Sequence, residues 1–429
     1  MKAILEIVKR HKSGQLVGIT SIRSANPFVI EASLRHSLIK NGDVLIEATS
    51  NQVNQDGGYT GMRPENFISF VYNIADKIDF PKSRILFGGD HLGPNCWQNL
   101  TAEEAMAKSE ILIEQYVKAG FRKIHLDCSM ACQGDPEILS DELVARRAAQ
   151  LCKIAENTWE KSGGEAPVYI IGTEVPVPGG AKEELNALEV TSSSAALKTI
   201  EMHKKAFIDT GLENVWSRVV GVVVQPGVEF DHHKVIDYEA DKASALSASL
   251  NSIETLVFEA HSTDYQTEGN LKQLVKDHFA ILKVGPGLTF ALREVLWAMD
   301  EIESQWQNIQ NKSNLRQTVM QVMHNNPKYW KSYYSSEPNQ QRLDMQYSLS
   351  DRIRYYWPDE TIRAALKKLE HSWNSNPPSL TLLSQFLPLQ YQAIRNGQIK
   401  NNFNEIILNN IGSVLDQYYN ACHQNESTQ

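Results

Sequence analysis

Apolar residues along this chain gather in short, nearly unbroken runs. Each run is closed by polar or ionisable side chains and followed by a stretch with helical spacing. Eight such runs fall at 17–22, 44–49, 85–91, 123–129, 168–174, 219–225, 255–261 and 279–286. In the last, Phe279-Ala-Ile-Leu-Lys-Val-Gly-Pro286, four apolar residues lead to Lys283, Gly285-Pro286 stops the run, and a helical pattern follows from Leu288 to Met299. Runs that are apolar throughout, rather than alternating, suit strands buried on both faces of a parallel sheet. Helix signals separate them. Asn26-Pro27 opens a helix through Leu38, Pro64 opens another to about Ile78, and Thr101-Ala-Glu-Glu104 is a capping box ahead of a helix that Gly120 ends.

This order predicts a (β/α)8 barrel over residues 1–304. A doubly wound open sheet is the competing architecture. The barrel is preferred because eight evenly distributed units leave no residues over for a sheet edge or a switch point. Composition then changes. No glycine occurs between Gly287 and Gly397, and five of the eight tryptophans lie beyond Gly287: Trp297, Trp306, Trp330, Trp357 and Trp373. Residues 305–429 therefore read as a helical, aromatic-rich extension packed on the barrel. Its aromatics and arginines, as in Ser350-Asp-Arg-Ile-Arg-Tyr-Tyr-Trp-Pro358, suit either an interface or internal packing. Internal packing is the commoner use of aromatics in helices.

Charge and cysteine usage narrow the function classes. The formal net charge is −9 and no Lys/Arg-rich run occurs, which argues against wholesale nucleic-acid or anionic-membrane binding. The amphipathic N-terminus, interrupted by Glu6, lacks the unbroken apolar core of a secretion signal, and no stretch approaches membrane-spanning length. The five cysteines are odd in number and scattered; Cys128 and Cys132 form a C-x3-C with no second pair nearby. Reduced, mostly buried thiols in a cytoplasmic protein are expected. The chain has no G-x-x-x-x-G-K-[ST] phosphate loop, no G-x-G-x-x-G after an early strand, and no G-x-S-x-G elbow.

Candidate chemistry lies at the strand ends. Strand residues alternate sides, so His125 shares a face with Asp127, Glu259 with His261, and Glu47 with Thr49. A barrel gathers all eight ends at one mouth. Glu47, Asn51, Asp90, His91, Asp127, Glu174, Gln225, Glu259, His261 and Lys283 would then surround one cavity. His91, Glu174 and His261 are candidate ligands for a zinc-like divalent metal. Asp90 and Glu259 are candidate catalytic groups. Asn51, Gln225, Lys283 and the Gly285 amide are candidate contacts to a substrate or phosphate. A metal there would polarise a carbonyl and stabilise an enediolate, as aldol chemistry and ketose isomerisation require. A structural alternative stands beside each residue. His91 could be a hydrogen-bonding support, His125 core packing, Glu174 a helix cap, and Lys283 an ion-pair partner. A Schiff-base role for Lys283 is disfavoured, because neighbouring carboxylates would stabilise the charged amine.

The strand-end motifs also carry a family resemblance. Ile46-Glu-Ala-Thr-Ser-Asn-Gln-Val-Asn54, Gly88-Gly-Asp-His-Leu-Gly-Pro-Asn95, His125-Leu-Asp-Cys-Ser-Met130, Ile171-Gly-Thr-Glu-Val-Pro-Val-Pro-Gly-Gly180, Val224-Gln-Pro-Gly-Val-Glu-Phe-Asp-His232 and Phe258-Glu-Ala-His-Ser-Thr-Asp-Tyr-Gln-Thr267 occur in order, with Gly57–Met62, 279–286 and Tyr347–Pro358. Together they resemble the accessory (Z-type) subunit family of tagatose-1,6-bisphosphate aldolase, essentially end to end. Leu126-Asp-Cys-Ser-Met-Ala-Cys132 and Ser244-Ala-Leu-Ser-Ala-Ser249 tilt the resemblance toward the N-acetylgalactosamine-pathway version rather than the galactitol one. The resemblance implies a class II aldolase barrel that is non-catalytic alone. It also implies a partner: a zinc-dependent catalytic subunit that cleaves tagatose 1,6-bisphosphate and needs this chain for full activity and stability. The family has also been called a tagatose-6-phosphate kinase. The missing phosphate loop gives that name no support, although sugar kinases of other folds lack the loop too.

Compared with the catalytic subunits, Asp90-His91 stands where one metal histidine is expected and His261 matches another, with no clear third. Val284-Gly285 stands where catalytic relatives have Val-Asn, which removes a side-chain contact to the ketose. Related barrels with such mouths epimerise ketoses by retro-aldol chemistry. The alternative expectation is therefore a metal-dependent ketose or ketose-phosphate aldolase or 4-epimerase active on its own.

Overall fold

In the computed structural model, which describes residues 1–173, 188–307 and 312–424, eight parallel strands hydrogen-bond in a closed ring. They are β1 (Ile19–Arg23), β2 (Val44–Thr49), β3 (Ile85–Leu92), β4 (Lys123–Leu126), β5 (Val168–Ile171), β6 (Val219–Val224), β9 (Val257–Ala260) and β10 (Ile281–Val284). A short antiparallel hairpin, β7 (Glu229–Phe230) with β8 (Val235–Ile236), follows β6 outside the ring. β1 pairs with β2 on one side and β10 on the other, in the registers Arg23↔Glu47 and Ser21↔Lys283. That closure excludes the open sheet. Each apolar run supplies one barrel strand. Some runs overshoot: β4 ends at Leu126, so Asp127 lies in the following loop, and Glu174 lies outside the described residues.

Alternation along the strands divides the barrel interior into two levels. The lower level is apolar. Ile19, Leu45, Leu86, Val257 and Ile281 pack there with Met1, Ile4 and Val8, so the N-terminal helix Lys2–Lys12 plugs the floor. Two residues further along each of those strands the same face turns polar or small: Ile19 leads to Ser21 and Arg23, Leu45 to Glu47, Leu86 to Gly88 and Asp90, Val257 to Glu259 and His261, and Ile281 to Lys283 and Gly285. Burying each floor side chain stabilises by about 1.5–3 kcal/mol. That apolar floor supports a charged level that could not hold itself together by hydrophobic contact.

The outer layer of the barrel shares one apolar core with the C-terminal helices. The last helix, Phe403–Cys422, lies against helices Pro27–Ile39, Glu268–Lys276 and Pro286–Trp306, and against β1. The Cys422 carbonyl accepts the Gly18 N–H at 3.0 Å, and the Tyr418 hydroxyl donates to the Thr263 carbonyl at 2.8 Å. Trp330, Trp357 and Trp373 are buried, and Trp297 meets Trp357 edge-on at 6.4 Å. These tryptophans are core residues rather than an exposed interface. All five cysteines are unpaired and four are buried. Among the described residues no helix is long and apolar enough to cross a membrane.

Candidate functional site

The polar level is built around β3. Its Gly88 faces Glu47 across the β2–β3 pair, and a Cβ at Gly88 would fall 2.5 Å from Glu47 Oε1. Glycine is therefore what lets the Glu47 carboxylate lie over β3. The β3–β4 register shifts between Gly89 and Leu92, and within that shift His91 takes a left-handed backbone, φ 49°. A non-glycine residue there is strained, and the strain is tolerated because the surroundings fix it. The result is that Asp90 and His91, adjacent in sequence, both reach the same cluster rather than opposite faces.

Two lysines and three carboxylates form the buried heart of this level. Lys123 Nζ lies 2.6 Å from both Glu47 Oε1 and Glu259 Oε2. Lys283 Nζ contacts Glu47 Oε2, lies 2.7 Å from Asp90 Oδ1, and lies 3.4 Å from Glu259 Oε1. Arg23 Nη1 reaches Asp90 Oδ2 at 3.2 Å. Burial alone would raise the carboxyls of Asp90 and Glu259. Around Asp90, His91, Lys283 and His125 outweigh burial; around Glu259, Lys123 and Lys283 do so, and both groups are held well below the ordinary carboxylate range. Burial would lower Lys283, but Asp90, Glu259 and Glu47 together hold its ammonium above the usual lysine value. Such groups stay charged across physiological pH and are poorly matched to shuttling protons.

Three imidazoles stand over this network. Ring centroids of His91, His125 and His261 are 5.2, 5.0 and 5.3 Å apart, pair by pair. Each ring has one nitrogen on its own carboxylate. His91 Nδ1 is 2.7 Å from Asp127 Oδ2, His125 Nδ1 is 3.0 Å from Asp90 Oδ1, and His261 Nε2 is 2.9 Å from Glu259 Oε1. The carboxylates favour the tautomers with the proton on those nitrogens. His91's backbone N–H also approaches His125 Nδ1 at 3.2 Å, a weaker claim than that of the Asp90 anion. The other nitrogens, His91 Nε2, His125 Nε2 and His261 Nδ1, are buried and have no hydrogen-bond partner among the described residues. Burial lowers His261 to about 3, so its ring is neutral. His91 Nε2 and Asp90 Oδ2 also face each other at 3.6 Å, two acceptors with no donor bonded between them.

Three imidazoles, each oriented by a carboxylate behind it and each with a second ring nitrogen left free, are the supporting pattern of a divalent metal centre. Ligand atoms of Asp90, His125, Glu259 and His261 also lie within 4.8 Å of one another. The residues present therefore fit a zinc-like cation, with the imidazoles as the free donors and the carboxylates already engaged by lysines.

Of the residues singled out from sequence, Asp90, His91, Glu259, His261 and Lys283 come together here. Glu174 lies outside the described residues. Gln225 is set apart: its Oε1 accepts the Gly227 and Val228 amides and shapes its own turn. Lys283 is held by carboxylates, and the Gly285 N–H donates to Asp264 Oδ1 at 2.9 Å, so neither is open to a phosphate. Asn51 lines a cavity beside the cluster and accepts from Cys96 Sγ at 3.1 Å. The sequence reading passed over Lys123 and Arg23. Lys123 is two residues before His125 and Arg23 two after Ser21, so alternation alone places both inside. Glu229 on β7 was also missed; burial raises its carboxyl to about 7.

The fold is a closed parallel (β/α)8 barrel with carboxylate-backed histidines and buried lysine–carboxylate pairs at the carboxyl ends of its strands, the end where such barrels place their functional groups. The chain belongs to the D-tagatose-1,6-bisphosphate aldolase subunit GatZ/KbaZ-like family, whose model matches residues 4–423. It is similar to a crystal structure from Sinorhizobium meliloti 1021 described as a probable tagatose 6 phosphate kinase, at 48% identity and a TM-score of 0.86, over 94% of this chain and 100% of that one. The YdjI aldolase from Escherichia coli K12 superposes more loosely, at 10% identity and a TM-score of 0.41 over 84% of this chain and 94% of that one. Fructose-bisphosphate aldolase from Campylobacter jejuni gives 13% identity and a TM-score of 0.43 over 93% and 94%.

Proposed function

We propose that this chain is the non-catalytic partner of a class II, zinc-dependent tagatose-1,6-bisphosphate aldolase, needed for that subunit's full activity and stability in the cytoplasm. The family match over residues 4–423 supports the subunit role. The observation that carries the non-catalytic part is the ion-pair network. Asp90 and Glu259, the groups best placed to move a proton, are fixed as anions by Lys283, Lys123 and the histidines, far from the operating range of an acid–base catalyst. The motifs around Leu126–Cys132 and Ser244–Ser249 favour the N-acetylgalactosamine-pathway branch. The test is co-expression. The catalytic subunit, made alone, is expected to lose activity on storage and melt lower. Made with this chain, it should copurify and regain both. A catalytic subunit equally active and stable without this chain contradicts the proposal.

One observation favours a second reading, in which the chain itself works as a metal-dependent aldolase or 4-epimerase. The three imidazoles keep free, buried nitrogens. His91, His125 and His261 would hold the cation, which would act as a Lewis acid on a ketose carbonyl. Lys283 would keep Asp90 and Glu259 charged, and Glu229 near neutrality would be the nearby group able to exchange a proton. Turnover by the isolated chain decides between the readings.

A further inference from the structure

Beside the cluster lies a cavity of about 430 Å³, walled by the ends of β1, β2 and β10 and roofed by the C-terminal helices. Arg23 belongs to both places. It holds Asp90 through Nη1 and is one of the residues lining the cavity. Among the described residues Nη1 is the only one of its nitrogens with a hydrogen-bond partner, so most of its N–H donors are open. Gly285 leaves it room: a Cβ there would fall 3.2 Å from Arg23 Nε, close enough that the guanidinium would have to shift slightly.

The roof brings a second arginine. Arg354 donates to the Ser350 and Asp351 carbonyls and, at 3.0 Å, to the Tyr355 hydroxyl, and no carboxylate pairs with it among the described residues. The cavity lining holds four cations, Arg23, Arg354, Arg363 and Lys367, against one carboxylate, Glu370, in a chain of formal net charge −9. The two phenols of the lining respond differently: burial and the neighbouring Tyr355 raise Tyr59 to about 12 despite Arg354 and Arg23. Burial would raise Tyr355, but Arg354 and Arg352 outweigh it and bring it below its ordinary value. An arginine with no carboxylate at ion-pair distance among the described residues, beside a cavity, suits an oxyanion, and its fork matches phosphate.

We propose that this cavity is a phosphate subsite, in which Arg23 and Arg354 clasp the phosphate of a ketose phosphate whose carbon chain runs toward the three histidines. The subsite stands on the arginines; the ketose as its carrier rests on the function proposed above. On this assignment the C-terminal extension is part of the ligand site rather than a separate module, and the phosphate role falls to Arg23 and Arg354 in place of Lys283 and Gly285.

The test is calorimetric titration of the full chain with tagatose 1,6-bisphosphate, tagatose and inorganic phosphate. The bisphosphate is expected to bind at least tenfold tighter than tagatose. Arg354→Met should erase most of that preference, a tenfold to hundredfold loss for a charge-assisted contact, and Arg354→Lys should restore part of it. Gly285→Ala, which crowds Arg23, should weaken the bisphosphate in the same direction. Weak phosphate binding with no preference for the sugar phosphate would assign the cavity to free phosphate and overturn the ketose. A phosphate preference unchanged in Arg354→Met would overturn the subsite. If Arg354→Met does not fold, wild-type fluorescence still decides. Trp357 lines the cavity. A saturable emission change with bisphosphate, absent in Trp357→Phe, is expected; calorimetric binding without it would place the phosphate elsewhere. None of these outcomes depends on the partner subunit, so failure of the subsite is distinguishable from failure of the proposed function.

Discussion

Lys283 Nζ lies 2.7 Å from Asp90 Oδ1, with both side chains fully buried at the centre of the barrel mouth. One ammonium thus ties β10 to β3 and, through Glu47 and Glu259, to β2 and β9. The polar level is an electrostatic keystone of the barrel mouth. Its value lies in being complete, because a buried charge without its partner is far costlier than the pair.

Replacing Lys283 by Met should therefore destabilise the fold by about 3–5 kcal/mol at neutral pH. The loss should shrink under acid, as the abandoned carboxylates protonate. Denaturant midpoints at neutral and acidic pH measure this. A midpoint unchanged at neutral pH would show that the network contributes little.

Gly88→Ala tests the packing beneath the keystone. The added methyl would meet the Glu47 carboxylate, whose oxygen lies 2.5 Å from the ideal Cβ position. A destabilisation of about 1–3 kcal/mol is expected from overpacking, with the Lys123–Glu47 pair disturbed. Gly88→Ala combined with Glu47→Gln should differ from the sum of the single changes, since the two residues share the contact.

Metal content tests the histidine trio. The purified chain dialysed against zinc should retain roughly one ion per chain, and His125→Ala or His261→Ala should abolish retention. Asp127→Asn, which removes the anionic support behind His91 while leaving an oxygen for Ser129, should weaken binding about 10–100-fold. Mass spectrometry of the metal reads all four. Equal zinc in the wild type and in His125→Ala would remove the metal centre from the account.

A separate pH dependence resides in His203, which is fully buried, hydrogen-bonded through Nδ1 to the Thr199 carbonyl at 2.8 Å, and lowered by burial to about 4. In the unfolded chain it titrates near its ordinary value. Between these pH values the unfolded state binds the extra proton, so stability rises with pH and is lost on acidification through that window. The contribution is about 3 kcal/mol. His203→Gln should reduce the slope of unfolding free energy between roughly pH 6.5 and 4, the remainder coming from other buried histidines such as His261. The depressed carboxylates of the mouth give a further loss at lower pH in both proteins.

The barrel was legible because its strands are continuous apolar runs, a signal that needs no tertiary knowledge. The histidines and acids at the strand ends were legible from alternation once closure was assumed. His125 was the ambiguous one. It lies one step deeper than Asp127, and only the structure shows its ring grouped with those of His91 and His261, at centroid distances of 5.2 and 5.3 Å. The assignments of Lys283 and Gly285 depended on charges contributed by β2, β3 and β9 and on Asp264, which no local pattern reveals. Arg354 was least legible. It stands in an aromatic segment far along the chain, and it lines the same cavity as Arg23 only because the C-terminal part of the chain folds back over the barrel.

The most direct measurement is tagatose-1,6-bisphosphate cleavage by this chain, zinc-loaded and free of any partner, compared with the catalytic subunit alone and with the reconstituted pair. The account predicts no turnover above background for the isolated chain, and a pair more active and more stable than the catalytic subunit by itself. Turnover by the isolated chain that disappears in His261→Ala would contradict it.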